Sequence, residues 1–235
     1  MTRKRWLIIM MAILCLAGCL FFAPCLVMVR DGEGWQRSAY RLKQIGLALH
    51  HYHDIYGSLP PTVKGGNEGQ PLYSWRVLLL PFLEQESLYK QFNLDEPWDS
   101  PHNKPLVEKI PKCYMLGIGR SDLAGLTHYQ AVVGPGTAFE RNHVADSLLL
   151  VVEAAHPVPW TEPADLVYAP NKPLPELGGL FQQPIHLWCY EIGRRDGFNA
   201  CFTDGNVRFI HSDTDEQTLH GFIARSDSEK GDTAK

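Results

Sequence analysis

The chain has 235 residues, of which 45% are hydrophobic, and a formal net charge of −4. This length suits one domain with an apolar core and leaves no room for a second full domain beside it. Once the basic residues that precede or border the first apolar run are set aside (Arg3, Lys4, Arg5 and Arg30), 18 basic and 26 acidic residues remain. That acidic balance argues against nucleic acid as a partner.

The first apolar run predicts a membrane segment. Residues 6–29 contain no charged side chain, and roughly 24 residues at about 1.5 Å per residue exceed the ~30 Å hydrocarbon thickness of a bilayer. The basic residues of 1–5 lie before this run and Asp31 and Glu33 lie after it. This charge asymmetry predicts a cytoplasmic N-terminus, a single transmembrane or signal-anchor segment over 6–29, and an extracytoplasmic domain over 30–225.

Cys19 offers a second kind of membrane anchor. The sequence Leu16-Ala17-Gly18-Cys19 resembles a bacterial lipobox, which would make Cys19 the lipidated first residue of a mature lipoprotein. The chain stays apolar from Leu20 to Val29, whereas lipoproteins turn polar soon after that cysteine. We therefore favour an uncleaved span, with a lipid anchor at Cys19 and ordinary signal cleavage as alternatives.

The predicted extracytoplasmic domain contains three cysteines, Cys113, Cys189 and Cys201. At most one disulfide can form among them within one chain, in a compartment where disulfides persist. Buried free thiols are the alternative, and the sequence does not choose between the two.

The stretch 41–61 predicts the main helix of the domain. Its apolar residues recur at steps of three and four, which places them in one stripe on a helix face: Leu42, Ile45, Leu49, Tyr52 and Tyr56. Ser38 is the predicted N-cap, and Gly57 followed by Pro60-Pro61 ends the helix near Tyr56. We expect this stripe to cover a sheet through Phe202, Val207 and Phe209.

Two further stretches predict short helices. Residues 74–93 have helical apolar spacing that Pro81 should split into two helices. Ser100 followed by Pro101 predicts a short helix towards Lys109.

The sequence pattern of the second half of the chain is typical of β-strands. HYQAVVG (128–134) and SLLLVVEAAH (147–156) predict strands, and a proline-dense stretch, 159–179, predicts an irregular surface segment. Asp204-Gly205 lies between two alternating runs, which predicts a hairpin with a type I′ turn. Ser212 or Asp213 should cap a final helix to about Arg225, and the charged tail 226–235 should be disordered.

Several of these stretches together resemble a known family. The blocks are LKQIGLALHHYHDIYGSLPP, SWRVLLLPFLEQESLYKQFNLDEPWDSPHNK, VVGPGTAF, LLLVVEAA, VPWTEPADLVYAPNKPLPELGGL and FNACFTDGNVRFI, in order from Leu42 to Ile210. They are similar to the pseudopilin-like bacterial proteins of domain-of-unknown-function family 1559, for which an older label is bacterial solute-binding protein. The resemblance implies an α+β, pseudopilin-like fold with a long N-terminal helix, a small antiparallel sheet and short helices.

The chain departs from this family at two places. Family members open with a prepilin cleavage motif of Gly-Phe-Thr-Leu-Val-Glu type, where this chain has Trp6-Leu7-Ile8-Ile9-Met10. The family's tail box has a histidine ten positions before its Asp-Gly, where this chain has Arg194, after what looks like an insertion over 181–193. The resemblance therefore implies neither prepilin processing nor a role for that histidine here.

Several groups of side chains are candidate binding sites. His50, His51, His53 and Asp54 share one helix end, and His143, Glu153 and His156 flank one strand; either group could bind a metal, but structural hydrogen bonding explains both more simply. Asp204 could bind calcium, although its role in the turn already explains it. The tryptophans of a carbohydrate platform would be Trp75, Trp98, Trp160 and Trp188, which core packing explains equally well.

The sequence contains no Ser-His-Asp ordering, no pair of catalytic carboxylates and no zinc motif. We therefore expect no enzyme, no catalytic or metal-binding residues and no cofactor. The predicted function is a membrane-anchored, extracytoplasmic, pseudopilin-like protein with a structural or assembly role in the cell envelope, acting through protein partners or self-association. A tethered solute- or glycan-binding protein is the alternative.

Overall fold

The structure is a computed structural model that describes residues 34–62, 72–116, 125–142, 147–187 and 190–225, together with Met10, Met11 and Cys15. The predicted membrane segment 6–29, apart from these last three residues, and the predicted disordered tail 226–235 lie outside the described residues. Within the described part, no helix has both the length and the apolar character needed to cross a bilayer.

Helix α1 spans residues 34–56 and covers one face of a sheet. The chain then forms α2 (Trp75–Leu78), a 3₁₀ turn (Leu80–Leu83) and α3 (Glu86–Tyr89). Two more 3₁₀ turns follow, Lys104–Lys109 and Lys112–Tyr114, and α4 (Ala138–Arg141) and α5 (Glu216–Ile223) come later in the chain.

The sheet contains β1 (Leu126–Val133), β2 (Leu149–Pro159), β3 (Leu166–Val167), β4 (Phe181–Leu187), β5 (Tyr190–Phe202) and β6 (Val207–His211). Its order is β3-β1-β2-β5-β4, and β6 also pairs with β5. All pairs are antiparallel except β1 with β3. The predicted α+β class, with a long N-terminal helix, a small antiparallel sheet and short helices, is confirmed.

Leu42, Ile45 and Leu49 of the predicted stripe are fully buried in the core between α1 and the sheet. Tyr52 is half-buried, but Tyr56 is 61% exposed and makes ring contacts with Tyr52 and Phe82. The stripe therefore leaves the core before the helix ends. Gly57 follows with a φ of +69°, and its amide bonds His53 O at 2.8 Å, which ends the helix.

Ser38 is not the N-cap that the sequence predicts. The helix is already formed at residue 34, and Ser38 lies on its buried face. Its hydroxyl bonds side chains of β1 and β2 rather than the helix backbone. Ser38 therefore makes a tertiary contact and does not cap the helix.

The hairpin after β5 differs from the predicted turn in length. Gly205 N donates to Phe202 O and Phe202 N to Asn206 O, both at 2.9 Å, and Gly205 has φ +74° while Asp204 is not in the left-handed region. The loop is therefore Thr203-Asp204-Gly205, of the three-residue type that ends on a left-handed glycine, rather than a two-residue type I′ turn.

This loop length decides which face each strand residue occupies. It places Cys201 opposite Val207, whereas a two-residue loop would place Phe202 there. Phe202 therefore does not pack against α1 as predicted. It lies in a second apolar cluster on the other face of the sheet, beside Phe222 of α5, with ring centroids 5.6 Å apart.

Two predicted helix starts differ from those in the structure. The final helix begins after Asp215, whose carboxylate accepts the amide of Thr218 at 2.8 Å, rather than after Ser212 or Asp213. The helix predicted from Pro101 begins only at Lys104. The predicted insertion contains β4 and the first residues of β5, which form a long hairpin with Leu187 opposite Tyr190.

Gly46 sets the distance between α1 and the sheet. A Cβ at this position would lie 2.5 Å from Cys201 Sγ, and Cys201 is fully buried. We expect Gly46→Ala to lower the free energy of unfolding, although alanine is favoured over glycine by about 1 kcal/mol inside helices. Chemical denaturation of the full-length protein in detergent measures the change.

Gly221→Ala is the matched control, because nothing lies within 4 Å of its Cβ position and the glycine is also helical. It should be neutral or stabilising. Adding Cys201→Ala to Gly46→Ala should restore part of the lost stability, because it removes the atom that clashes. Equal stability of the two glycine variants would show that Gly46 does not set the helix distance.

Candidate functional site

The described residues hold a buried polar cluster, here called the Glu153 cluster, made of the Trp35 backbone, Ser38, Tyr129, Glu153 and Asn199. Ser38 Oγ bonds Tyr129 Oη at 2.7 Å and donates to Glu153 Oε1. Asn199 Nδ2 donates to Glu153 Oε1 at 2.9 Å and to Trp35 O at 3.0 Å. The four side chains are essentially inaccessible to solvent. The cluster thus joins α1 to β1, β2 and β5.

The position of Glu153 follows from a gap in the sheet. β2 pairs with β5 as far as Val152, opposite Ala200. Beyond that pair, β2 turns to another segment, since Gly178 N donates to Glu153 O at 2.9 Å. Asn199 N therefore has no acceptor on the β2 backbone and instead donates a hydrogen bond to Glu153 Oε2 at 2.7 Å. The carboxylate substitutes for a missing strand and satisfies a buried amide.

Burial raises the pKa of Glu153 to about 7, and the hydrogen bonds from Ser38 and Asn199 oppose the rise. Burial also raises the pKa of Tyr129, so its phenol keeps its proton at physiological pH. Within the described part, no cation bonds the Glu153 carboxyl. The cluster is therefore a proton-binding group in an apolar surrounding, with every carboxyl oxygen engaged.

A second buried polar group joins α2 to the segment after β2. Arg76 Nη2 contacts Asp165 Oδ1 at 2.9 Å, and Arg76 Nε donates to Tyr129 O at 2.9 Å. Asp165 also accepts Ala131 N at 2.8 Å and Trp75 Nε1 at 3.1 Å. Burial raises the pKa of the Asp165 carboxyl, and the Arg76 guanidinium opposes that rise. This pair holds the proline-rich segment against the sheet.

The histidines at the end of α1 do not converge. His51 and Asp54 are exposed, while His50 and His53 are half-buried. His50 Nε2 is buried close to Gly205 and has no hydrogen-bond partner among the residues that the structure describes. Within the described residues, no group of three or more His, Cys, Asp or Glu side chains is placed to hold a metal ion.

The other candidate residues are also separated or already occupied. His143 lies outside the described residues, and exposed His156 bonds Glu176 at 2.8 Å rather than Glu153. The Asp204 carboxylate accepts the Asn206 amide at 2.8 Å and bonds the Arg208 guanidinium. Arg208 therefore supplies the positive charge that a calcium ion would supply at Asp204.

Two of the four candidate tryptophans are core residues. Trp75 and Trp160 are fully buried, Trp98 is half-buried, and Trp188 lies outside the described residues. Trp160 stacks on Tyr114 at 5.9 Å and donates to Val107 O at 2.8 Å, as a core residue does. The carbohydrate platform considered from the sequence is therefore wrong for Trp75 and Trp160.

Of the cysteines, Cys113 and Cys201 are buried free thiols, while Cys189 and the lipidation candidate Cys19 lie outside the described residues. Burial raises the pKa of Cys113 to about 11 and that of Cys201 to about 12. Both thiols therefore stay protonated and unreactive at neutral pH.

A groove of about 460 Å³ lies on the side of the sheet that α5 covers. Its lining is mostly apolar, with Leu174, Leu177, Phe198 and Leu219 as walls. Asp196 and Ser212 provide polar atoms at its edge. No local sequence pattern indicates this groove, because its walls come from four separate segments.

Breaking the Arg76–Asp165 pair tests its structural importance. We expect Asp165→Asn to lower the free energy of unfolding by about 3–5 kcal/mol, because it leaves the Arg76 guanidinium buried without a counter-charge. Thermal unfolding of the full-length protein in detergent provides the measurement. Glu86→Gln is the control, since Glu86 and Lys90 form a pair at 2.7 Å that is largely exposed. The control should not measurably change stability, and a similarly small effect of Asp165→Asn would contradict this role.

Comparison with known proteins gave one match. Neither the curated proteins nor the solved structures contain a match to this chain. Residues 37–130, which include most of α1 and the first five residues of β1, match the model of a family described as protein of unknown function (DUF1559). The predicted resemblance to this family is thus confirmed over residues 37–130.

Proposed function

We propose that this protein is a membrane-anchored, extracytoplasmic, pseudopilin-like protein with a structural or assembly role in the cell envelope and no catalytic activity. The observation that carries the proposal is that α1 is packed into the core of the domain and follows the predicted membrane segment in sequence. Its inner face is committed to the core through Leu42, Ile45 and Leu49. The uncharged run 6–29 precedes this helix in sequence and is separated from it by a short polar interval.

The outer face of α1 supports a role based on protein contacts. Tyr40, Leu47 and Ile55 are 67%, 48% and 67% exposed, respectively. Their spacing of seven and eight residues places them on one side of the helix. Large exposed apolar side chains on one helix face are typical of an interaction surface, for a protein partner or for another copy of this chain.

The buried polar groups support a non-catalytic role. Glu153 and Asp165 have perturbed pKa values, which in a cleft would suggest catalysis. Both carboxylates are instead enclosed in the core and engaged by backbone amides and side chains. A substrate has no access to either group.

A tethered solute-binding protein is the second candidate, and the groove of about 460 Å³ favours it. Apolar walls with a few polar groups are usual for small-molecule sites of this volume. This function would also place the domain outside the cytoplasm on a membrane anchor.

Membrane fractionation with intact-mass analysis tests the proposal. We expect to find the full-length chain, with its N-terminus retained, in the membrane fraction. Protease added on the extracytoplasmic side should cleave the domain. Recovery of the chain in the soluble cytoplasmic fraction would contradict the proposal.

Cys19→Ser separates the two kinds of anchor. It should leave membrane retention unchanged if residues 6–29 span the bilayer. A diacylated species that begins at Cys19, together with loss of anchoring in Cys19→Ser, would replace the span with a lipid anchor.

A further inference from the structure

The Glu153 cluster connects the beginning of α1 to the rest of the domain. Ser38 and the Trp35 carbonyl belong to the first turns of the described helix, and both bond groups of the cluster. Trp35 also makes an edge contact with Phe209, at 6.1 Å between ring centroids. One buried carboxyl and its neighbours therefore form a polar attachment between the first turns of α1 and the sheet.

The hydrogen bonds of the cluster can be satisfied with Glu153 in either protonation state. An ionised carboxylate accepts from Ser38 Oγ, Asn199 N and Asn199 Nδ2. A neutral carboxyl can instead donate from Oε1 to Ser38 Oγ, because the Ser38 hydroxyl can rotate to donate to Tyr129 Oη. Ionisation therefore changes the charge of the cluster without requiring a different set of partners.

The charged groups around Glu153 do not neutralise it. From α1, Arg41 donates to Met115 O at 2.5 Å and acts electrostatically on Tyr129. From β1 comes Tyr129, which remains a neutral phenol, and from β5 comes Asn199, which carries no charge. His128 of β1 bonds Ala154 O at 2.9 Å, and burial lowers its pKa. An ionised Glu153 is thus buried without a bonded cation in the described part, a costly arrangement.

We propose that the Glu153 cluster is a proton-dependent clasp, which holds the first turns of α1 firmly on the sheet when Glu153 is neutral and loosens them when Glu153 ionises. The clasp lies where the domain meets the segment that leads to residues 6–29. Its state therefore sets how rigidly the domain is carried by whatever precedes α1.

The direction of the effect follows from linkage. The ordinary pKa of the carboxyl is 4.5 and burial raises it to about 7, so the closed clasp binds the proton more tightly than an opened one. The stabilisation is complete at low pH, falls as pH rises from about 4.5 to about 7, and is constant above that range.

Hydrogen exchange with mass spectrometry on the full-length protein in detergent tests the clasp. After correction for the intrinsic exchange rate, the opening equilibrium constant of backbone amides in residues 35–45 should rise about tenfold between about pH 6 and about pH 8. A constant value across this range would overturn the proposal.

Two variants assign the effect to Glu153. Glu153→Gln should remove the pH dependence, whereas Glu176→Gln, which changes an exposed glutamate on the adjacent segment, should retain it. A pH dependence that persists in Glu153→Gln, or is lost in Glu176→Gln, would overturn the assignment.

Ser38→Ala provides a test that does not require a change at the carboxyl itself. It leaves Glu153 bonded to Asn199 but removes the bond to α1. The hydrogen bond from Ser38 opposes the rise of the Glu153 pKa, so its loss should raise that pKa further and extend the pH dependence of residues 35–45 above about pH 7. Loss of the pH dependence in residues 35–45, or a shift of its upper limit below about pH 7, would contradict the clasp.

Discussion

The buried carboxyl of Glu153 lies where two neighbouring strands of the sheet separate. β2 leaves β5 after Val152, and the amide of Asn199 would be buried without an acceptor if Glu153 did not supply one. Burying a charged or ionisable group is costly unless its hydrogen bonds are complete. The same carboxyl therefore completes its set with Ser38 of α1, and the helix is attached at the point where the sheet divides.

Apolar contacts of α1 accompany that attachment. Gly46 allows the helix to approach Cys201 closely, and Leu42, Ile45 and Leu49 fill the space beside it. On the other side of β1, the buried Arg76–Asp165 pair holds the proline-rich segment against the sheet. Both polar groups thus hold separate elements of the fold together, while apolar side chains on the outer face of α1 and a groove beside α5 remain exposed.

Much of the fold could be predicted from local patterns. Gly57 with Pro60-Pro61 marked the end of α1, and Asp204-Gly205 marked the hairpin, because a left-handed backbone position selects glycine locally. The face assigned to Phe202 was wrong because one extra loop residue reverses the faces of a strand. Ser38 and Asp165 carried no usable local signal. A serine near a helix start usually indicates a cap, and the partners of Asp165 lie about 34 or more residues away in sequence. The one local sign of the Arg76–Asp165 pair is that Arg76 is a single charged residue in an otherwise apolar run.

The central claim, that Glu153 couples α1 to β5, is tested most directly by a double-mutant cycle between Ser38 and Asn199. These side chains both donate to Glu153 Oε1 but belong to different elements. Denaturant unfolding of the full-length protein in detergent would compare Ser38→Ala, Asn199→Ala and the double variant. The account predicts a coupling free energy of about 0.5–3 kcal/mol, the range expected for residues in one network. Strictly additive effects would contradict it.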